Sequence, residues 1–498
     1  MPIRDFESDS GLNRILRNGS FITLRFLVYA FSGILFIPFL VKHYGAGSYG
    51  LIALAGFLTQ YVGMISSSFG SSVARFLNVA LNKNDWRQAG EIFSTAIVAN
   101  IGFVLIQIPL FTFGVWNLDW IIKFAPEVSA DFHILVMCNI VVFFISMLTG
   151  ILLAPIQASN RIDISAKIDA LRLILRLILL VSLILWLGPA LWIIGVVDVV
   201  LALVNAGAIY KVYRHIAPDL IFDTSLVTKR WIRPVFSMSG WSLLVVLGFA
   251  LFLKTDIWLI NRFITPELAG IYAAFLLFPN FIKQICGQFS SLINPVLLID
   301  YAKGNLERVA EVCSISYRIV FVFSVSSACF FALFSTDFLE LLFPGYIKHA
   351  NILYALIFAS MLSGLGDVLR PLFKAYNKMH QIGIVYLITG VSNIVLSFVF
   401  IKLGLGVLGV ILGTGISILL RDLIFCTILA GQLLDKGSLY LFRNTYMGFS
   451  LLIVFLTCQI LFNSKIIGMF ILLIFGVLIL FLEKEMRLMC VRFLKRKF

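Results

Sequence analysis

The chain has 498 residues, 60% of them apolar and 13% charged, with a mean hydropathy of +1.01. Soluble domains carry nearer 25% charged residues, so a water-soluble enzyme of this size is excluded. Lys and Arg number 39 against 25 Asp and Glu, a formal charge of +14, and the placement of those cations decides between a nucleic-acid and a membrane reading.

Residues 1–18 are polar and mixed in charge, and the apolar run at about 20–41 is too long for the core of a cleavable signal peptide. It reads as a first span. A helix crossing the hydrocarbon needs about 20 residues, and hydropathy predicts about fourteen. They lie near 20–41, 51–74, 92–115, 132–155, 168–187, 190–211, 236–260, 269–296, 313–334, 350–372, 382–402, 405–428, 446–463 and 466–482. With the N-terminus inside, inner segments hold about 30 Lys and Arg, Arg370, Lys374 and Arg421 among them. Outer turns hold about six: Lys42, Lys123, Arg262, Lys348, Lys402 and Lys465. This positive-inside bias puts both termini in the cytoplasm. Topology and anionic lipid then account for the basic balance, and nucleic acid is not needed as a partner.

The longest polar stretch, near 212–235, is too short for an ATPase domain, and no ATPase subunit is required. Gly45–Gly50 and Gly404–Gly409 match G-x-G-x-x-G, but neither follows a strand, so both read as tight turns between helices. The seven cysteines show no paired spacing and are expected as free thiols. The five histidines form no metal-ligand pattern, and no paired carboxylates or Ser/His/Asp set occupies a plausible catalytic position. No enzymatic activity, metal or cofactor is expected.

An internal duplication runs through the chain. Tyr49-Gly50-Leu51 resembles Ala269-Gly270-Ile271, an offset of 220; Asn84–Ala89 resembles Asn305–Ala310, at 221. Gln157–Arg161 resembles Lys374–Lys378, at 217, and Leu187-Gly188 resembles Leu403-Gly404, at 216. Six spans per copy is an even number, so the copies face the same way and imply two bundles related by an axis along the membrane normal. The expected organisation is an N-terminal six-helix bundle at 1–214, a cytoplasmic linker at 215–235, a second bundle at 236–430, and two additional helices with a basic tail at 431–498.

Polar residues concentrate on spans two and eight. In span eight Asn280, Lys283, Gln284, Gly287, Gln288, Ser291 and Asn294 recur at steps of three and four, one helical face. Span two offers Gln60, Gly63, Ser67, Ser68 and Ser71, ending in Arg75. Small residues let helices pack closely, which suffices for the serines; Lys, Gln and Asn are too large and polar for that and point to a wet cavity. Arg25 on span one, with Lys254 and Asp256 on span seven, are further intramembrane ions, and each costs roughly 2.5–3.5 kcal/mol to insert. Arg25, Arg75, Lys254 and Lys283 against Asp256 leave a cationic surplus suited to phosphate. Arg176 and Asp198 are expected to pair between spans five and six, and Asp367, Arg370 and Lys374 read as an interface anchor at the inner end of span ten.

Ile37-Pro38-Phe39-Leu40-Val41, the turn Tyr44–Gly50, Thr255–Ile260 with Ala269–Tyr272, and Leu342-Phe343-Pro344-Gly345-Tyr346 complete a pattern covering nearly the whole chain. It resembles the Wzx-type polysaccharide flippases of the MATE-like (MOP) superfamily. The resemblance implies an all-α polytopic fold of about fourteen spans in the bacterial inner membrane. It also implies transfer of undecaprenyl-diphosphate-linked oligosaccharide units for O-antigen, lipopolysaccharide or capsule synthesis. It leaves room for a polysaccharide polymerase and chain-length machinery as partners beside membrane lipids. On this reading Arg25, Lys254 and Lys283 hold the pyrophosphate, with Arg75 at the inner mouth, and Gln60, Gln284, Gln288 and Asn294 bond sugar hydroxyls. Asp256 is the candidate for coupling a proton or Na⁺. The related lipid II flippases begin their first span with several arginines, which are missing here. A MATE-type antiporter is the rival transporter and would carry more acids in its cavity. A membrane polysaccharide polymerase or ligase, the rival enzyme, would need a larger outer loop than 116–131 or 335–350.

Overall fold

The computed structural model describes residues 32–56, 70, 73–81, 83, 85–158, 162–232, 234, 248, 251–252, 255–462, 464–466, 468–469 and 471–472. Among the described residues, nine helices are long and apolar enough to cross a membrane, and they coincide with expected spans three to six and eight to twelve. The chain is a multi-pass, nearly all-helical membrane protein. Two compact units emerge, Met1–Val246 with Asn261–Ile271, and Leu247–Ile260 with Tyr272–Phe498.

In the first unit, α1 (32–56) is followed by α2 (Trp86–Trp116), α3 (Ser129–Ala158), α4 (Ile162–Leu187) and α5 (Leu191–Ile216). α3 and α5 pack most extensively. Gly195 of α5 makes this possible, since a Cβ there would lie 2.7 Å from the Cβ of Cys138 on α3. Arg176 and Asp198 form the expected pair between α4 and α5, with Nε–Oδ1 at 2.5 Å and Nη2–Oδ2 at 2.9 Å. Gly50 of α1 meets the backbone of Gly270, whose own missing side chain leaves room for the carbonyl of Ala46. The two glycines matched at offset 220 are thus partners in one close crossing.

The expected linker is no free tether. Its backbone N–H at Asp223 donates to Ser94 Oγ at 3.1 Å and that at Thr228 to Thr95 Oγ1 at 3.0 Å. Trp231 Nε1 reaches Glu91 Oε2 at 3.3 Å, and Trp231 packs on the apolar cluster around Phe93, Leu77 and Tyr213. Residues 217–232 therefore strap back onto the first turns of α2.

The second unit holds α6 (Thr255–Phe263) and α7 (Pro266–Phe275), each begun or ended outside it, then α8 (Leu277–Ala302), α9 (Leu306–Leu333) and α10 (Ser335–Leu342). α11 (Ala350–Ser360), α12 (Leu365–Ala375), α13 (Met379–Lys402), α14 (Gly406–Ile418), α15 (Cys426–Leu433) and α16 (Tyr446–Phe462) follow. Two features depart from the sequence expectation. Span ten is broken at 361–364 into α11 and α12, and a π-helical turn, Leu419–Phe425, separates α14 from α15 inside span twelve. Lys465 lies 2.5 and 2.7 Å from the carboxylate oxygens of Asp337 and holds that carboxyl below the usual range.

The repeated motifs share local geometry, with the helix caps matching at an offset of 220, one less than the sequence match of 84–89 to 305–310. Asp85 caps α2 by accepting from Gln88 N at φ −90°, ψ 80°; Asn305 caps α9 by accepting from Arg308 N at φ −85°, ψ 71°. Gly188 and Gly404 both turn at left-handed φ, +87° and +85°. Cys138, Cys286, Cys313, Cys329 and Cys426 are free thiols.

Candidate functional site

The second unit builds a charged pocket from α8, α12 of the broken span ten and the start of α13, with the π turn packed beside α12. Pro371 lacks an N–H, so in α12 the carbonyl of Asp367, four residues earlier, has no helical donor. Ser290 Oγ of α8 donates to that carbonyl at 2.7 Å. This bond ties the polar face of α8 to the broken span. Upstream, the break closes through i→i−3 bonds, Ser363 N to Ser360 O at 3.0 Å and Leu365 N to Leu362 O at 3.1 Å.

Around this junction four cations and two carboxylates gather. Arg421 and Asp422, adjacent on the π turn, form a bidentate pair at 2.8 and 2.7 Å, with Arg421 1% exposed and Asp422 fully buried. The guanidinium lies 4.2 Å from the ring centre of Phe252 and 4.7 Å from that of Tyr386, so two aromatic faces replace water around it. Gly366 is obligatory beside this pair: a Cβ there would sit 2.4 Å from Asp422 Oδ1 and 3.0 Å from Tyr386 OH. Arg370 pairs with Asp367 one turn along α12. Lys283 of α8, half-buried, lies within electrostatic reach of Asp367, Arg421, Asp422 and Arg370. π turns and broken helices are frequent at functional positions, where backbone is re-aimed.

A cavity of about 280 Å³ opens at this junction. Gly287, Ser290 and Asn294 line it from α8, Asp367, Arg370, Pro371 and Lys374 from α12, and Met379 from α13. The Asp367, Arg370 and Lys374 ladder, expected as an interface anchor, therefore faces a cavity. Arg421, expected among the inner-segment cations, is instead a buried charge inside span twelve, paired with Asp422. The signal was present: two charges side by side within the apolar run 405–428.

Among the expected site residues, the structure brings Lys283 and Asn294 to this junction, while Gln284 and Gln288 are half-buried on the same helix. Arg75 is exposed on the helical segment 73–81 of the first unit. Arg25, Gln60 and Lys254 lie outside the described residues, as do Gly63, Ser67, Ser68 and Ser71 of the span-two stripe. Asp256 belongs to a separate network. Its carboxylate accepts from Tyr272 OH at 2.7 Å, Asn393 Nδ2 at 3.0 Å and Thr414 Oγ1 at 2.6 Å, and it is 2% exposed. Ser397 joins through Asn393 Oδ1 at 3.2 Å. Three hydrogen-bond donors borne by separate helices thus converge on one buried carboxylate.

No protein-family model matches the sequence. Over 406 residues, 80% of either chain, it is 24% identical to the "uncharacterized membrane protein EpsK" of Bacillus subtilis (strain 168). Similar solved structures include an inward-facing MATE-family multidrug resistance transporter of the MOP superfamily, with a TM-score of 0.68, 13% identity, and coverage of 83% of this chain and 96% of that one. The lipid II flippase MurJ in an inward closed conformation gives a TM-score of 0.67, 15% identity, and coverage of 93% and 98%. The MATE transporter ClbM in complex with Rb⁺ gives 0.56, 15%, 89% and 99%. The chain thus has the fold shared by MATE transporters and the MurJ flippase.

Proposed function

We propose that this protein is a flippase that moves undecaprenyl-diphosphate-linked oligosaccharide units across the bacterial inner membrane, by alternating access, for surface polysaccharide synthesis. The observation that carries the reading is the charge balance at the α8–α12 junction: Lys283, Arg370, Lys374 and Arg421 stand against Asp367 and Asp422. A surplus of cations inside a membrane protein favours a phosphorylated cargo over a cationic drug. The fold is shared with a lipid II flippase and with MATE drug transporters alike, so the charge balance and not the fold favours this cargo. With the basic helix ends in the cytoplasm, outward movement of an anion gains about 2.3 kcal/mol per charge per 100 mV of inside-negative potential.

A second reading, a MATE-type cation antiporter, draws on the buried Asp256 network and on the Rb⁺ complex of ClbM. Asp256 serves the flippase equally well as the coupling group. Complementation separates them. The gene introduced into a strain lacking its own polysaccharide flippase is expected to restore surface polysaccharide and to confer no ethidium efflux. Efflux without restoration overturns the flippase in favour of the antiporter. Outer-leaflet single units accumulating in a strain that lacks this protein would instead mark a polymerase or ligase.

A further inference from the structure

The strap 217–232 is anchored along one side. Leu220 is 2% exposed in the cluster around Phe93, and its carbonyl accepts from Tyr213 OH. Leu226 Cδ1 lies 2.8 Å from where a Cβ on Gly90 of α2 would stand. Between these anchors Ile221 and Phe222 turn outward, 57% and 40% exposed, on a loop rather than on a spanning helix. Two neighbouring apolar side chains are a small patch by themselves. Their depth and the charge around them say what covers them.

Depth follows from the turn after α5. Leu220 N donates to Ala217 O at 3.2 Å, and the Tyr213–Leu220 bond brings the strap back level with the last turn of that helix. Val196, Val200, Leu203 and Val204 form an exposed apolar stripe along α5, the side that a spanning helix shows to lipid. Exposed Tyr210 closes the stripe, its ring centre 6.1 Å from that of Tyr213, and tyrosines of spanning helices settle at headgroup level. Charge supplies the partner. Lys211 and Arg214 on α5 and Lys229 and Arg230 on the strap are all exposed, and outnumber the exposed Asp219 and Asp223. Arg214 donates to Pro218 O at 3.3 Å, and the Arg230 guanidinium lies 5.5 Å from the Trp231 ring centre, so both cations are held at the strap. Apolar side chains flanked by Lys and Arg suit acyl chains beneath anionic headgroups.

We propose that the strap docks on an anionic lipid surface, with Ile221 and Phe222 entering the acyl border and Lys211, Arg214, Lys229 and Arg230 meeting phosphate headgroups. The strap then has two partners, the start of α2 on one side and the bilayer on the other. This assignment holds whatever the transported cargo is.

The test uses the full chain, one copy per nanodisc, in phosphatidylcholine alone or with about one third phosphatidylglycerol. Backbone amide exchange across the strap is read by mass spectrometry. Phosphatidylglycerol is expected to slow it about tenfold, and about 1 M salt to reverse most of that slowing. Two double variants, each confined to exposed side chains, separate the contributions. Lys229→Gln/Arg230→Gln is expected to abolish the phosphatidylglycerol effect and leave exchange in phosphatidylcholine unchanged. Ile221→Ser/Phe222→Ser is expected to exchange faster in both lipids. Equal exchange of the unaltered chain in the two lipids overturns the proposal. So does a phosphatidylglycerol effect that survives both double variants, since the lipid then acts elsewhere. Protection that appears only when two chains share a disc assigns the exposed pair to a second copy and likewise overturns it.

Discussion

Arg421 is a guanidinium with almost no water, held by one carboxylate and two rings. Removing one partner of such a pair strands a buried charge, at about 3–5 kcal/mol, whereas replacing both with apolar residues is often neutral. Arg421→Leu is therefore expected to lower thermal stability in detergent sharply, and the Arg421→Leu/Asp422→Leu double variant to recover most of it; additive losses would contradict the pairing. Gly366 abuts the same carboxylate, and its Cβ position lies 2.4 Å from Asp422 Oδ1. Gly366→Ala should cost about 1–3 kcal/mol by overpacking, read as a fall in Tm. Asp256 differs from these because its three partners are neutral. Asp256→Asn keeps the shape and one acceptor oxygen for Asn393, and the Tyr272 and Thr414 hydroxyls can turn to accept from the new amide nitrogen, so the fold should survive while any dependence of transport on Na⁺ or proton gradient disappears. Transport that keeps its full ion dependence in this variant would remove Asp256 from the coupling role.

At the scale of elements, the hydrophobic runs are enough to locate α2 to α5, α8, α9 and α11 to α15, but not α10 in the outer segment 335–350, because a helix in lipid must be apolar for about 20 residues and little else is required of it. The irregularities were less legible. Pro371 announces a free carbonyl at Asp367, but the donor that answers it, Ser290, lies 77 residues away. The partners of Asp256 are likewise non-local, at separations of 16, 137 and 158 residues. Arg421 counts as an inner-segment cation in a positive-inside tally, which does not tell buried cations from solvated ones. Ser290→Ala leaves the Asp367 carbonyl without its donor and should destabilise by roughly 1–3 kcal/mol. The strap 217–232 offers a prediction outside the membrane. Hydrogen bonds from Ser225 hold the Asp223 carboxyl below the usual range, so its contribution is present at neutral pH and lost as pH falls through the lowered value. Proteolysis within the strap is expected to rise at acid pH and to lose that pH dependence in Asp223→Asn. Unchanged protection in acid would argue that the backbone contacts to Ser94 and Thr95 hold the strap alone.

For the molecule as a whole, fold and charge carry different weight. The fold is common to drug transporters and a lipid flippase, so it does not choose a cargo. The choice rests on electrostatics: Lys283, Arg370, Lys374 and Arg421 outnumber the acids at the α8–α12 junction, and the repeat-related positions Arg25, Gln60 and Lys254 remain proposals from sequence. The most direct measurement is the leaflet distribution of lipid-linked sugar units in a flippase-deficient strain carrying this gene or its Lys283→Ala variant, at matched protein levels. Restoration of outer-leaflet units by the wild type, with inner-leaflet accumulation in the variant, is the expected result. Inner-leaflet accumulation in both, or full restoration by the variant, would contradict an anionic cargo held by these cations.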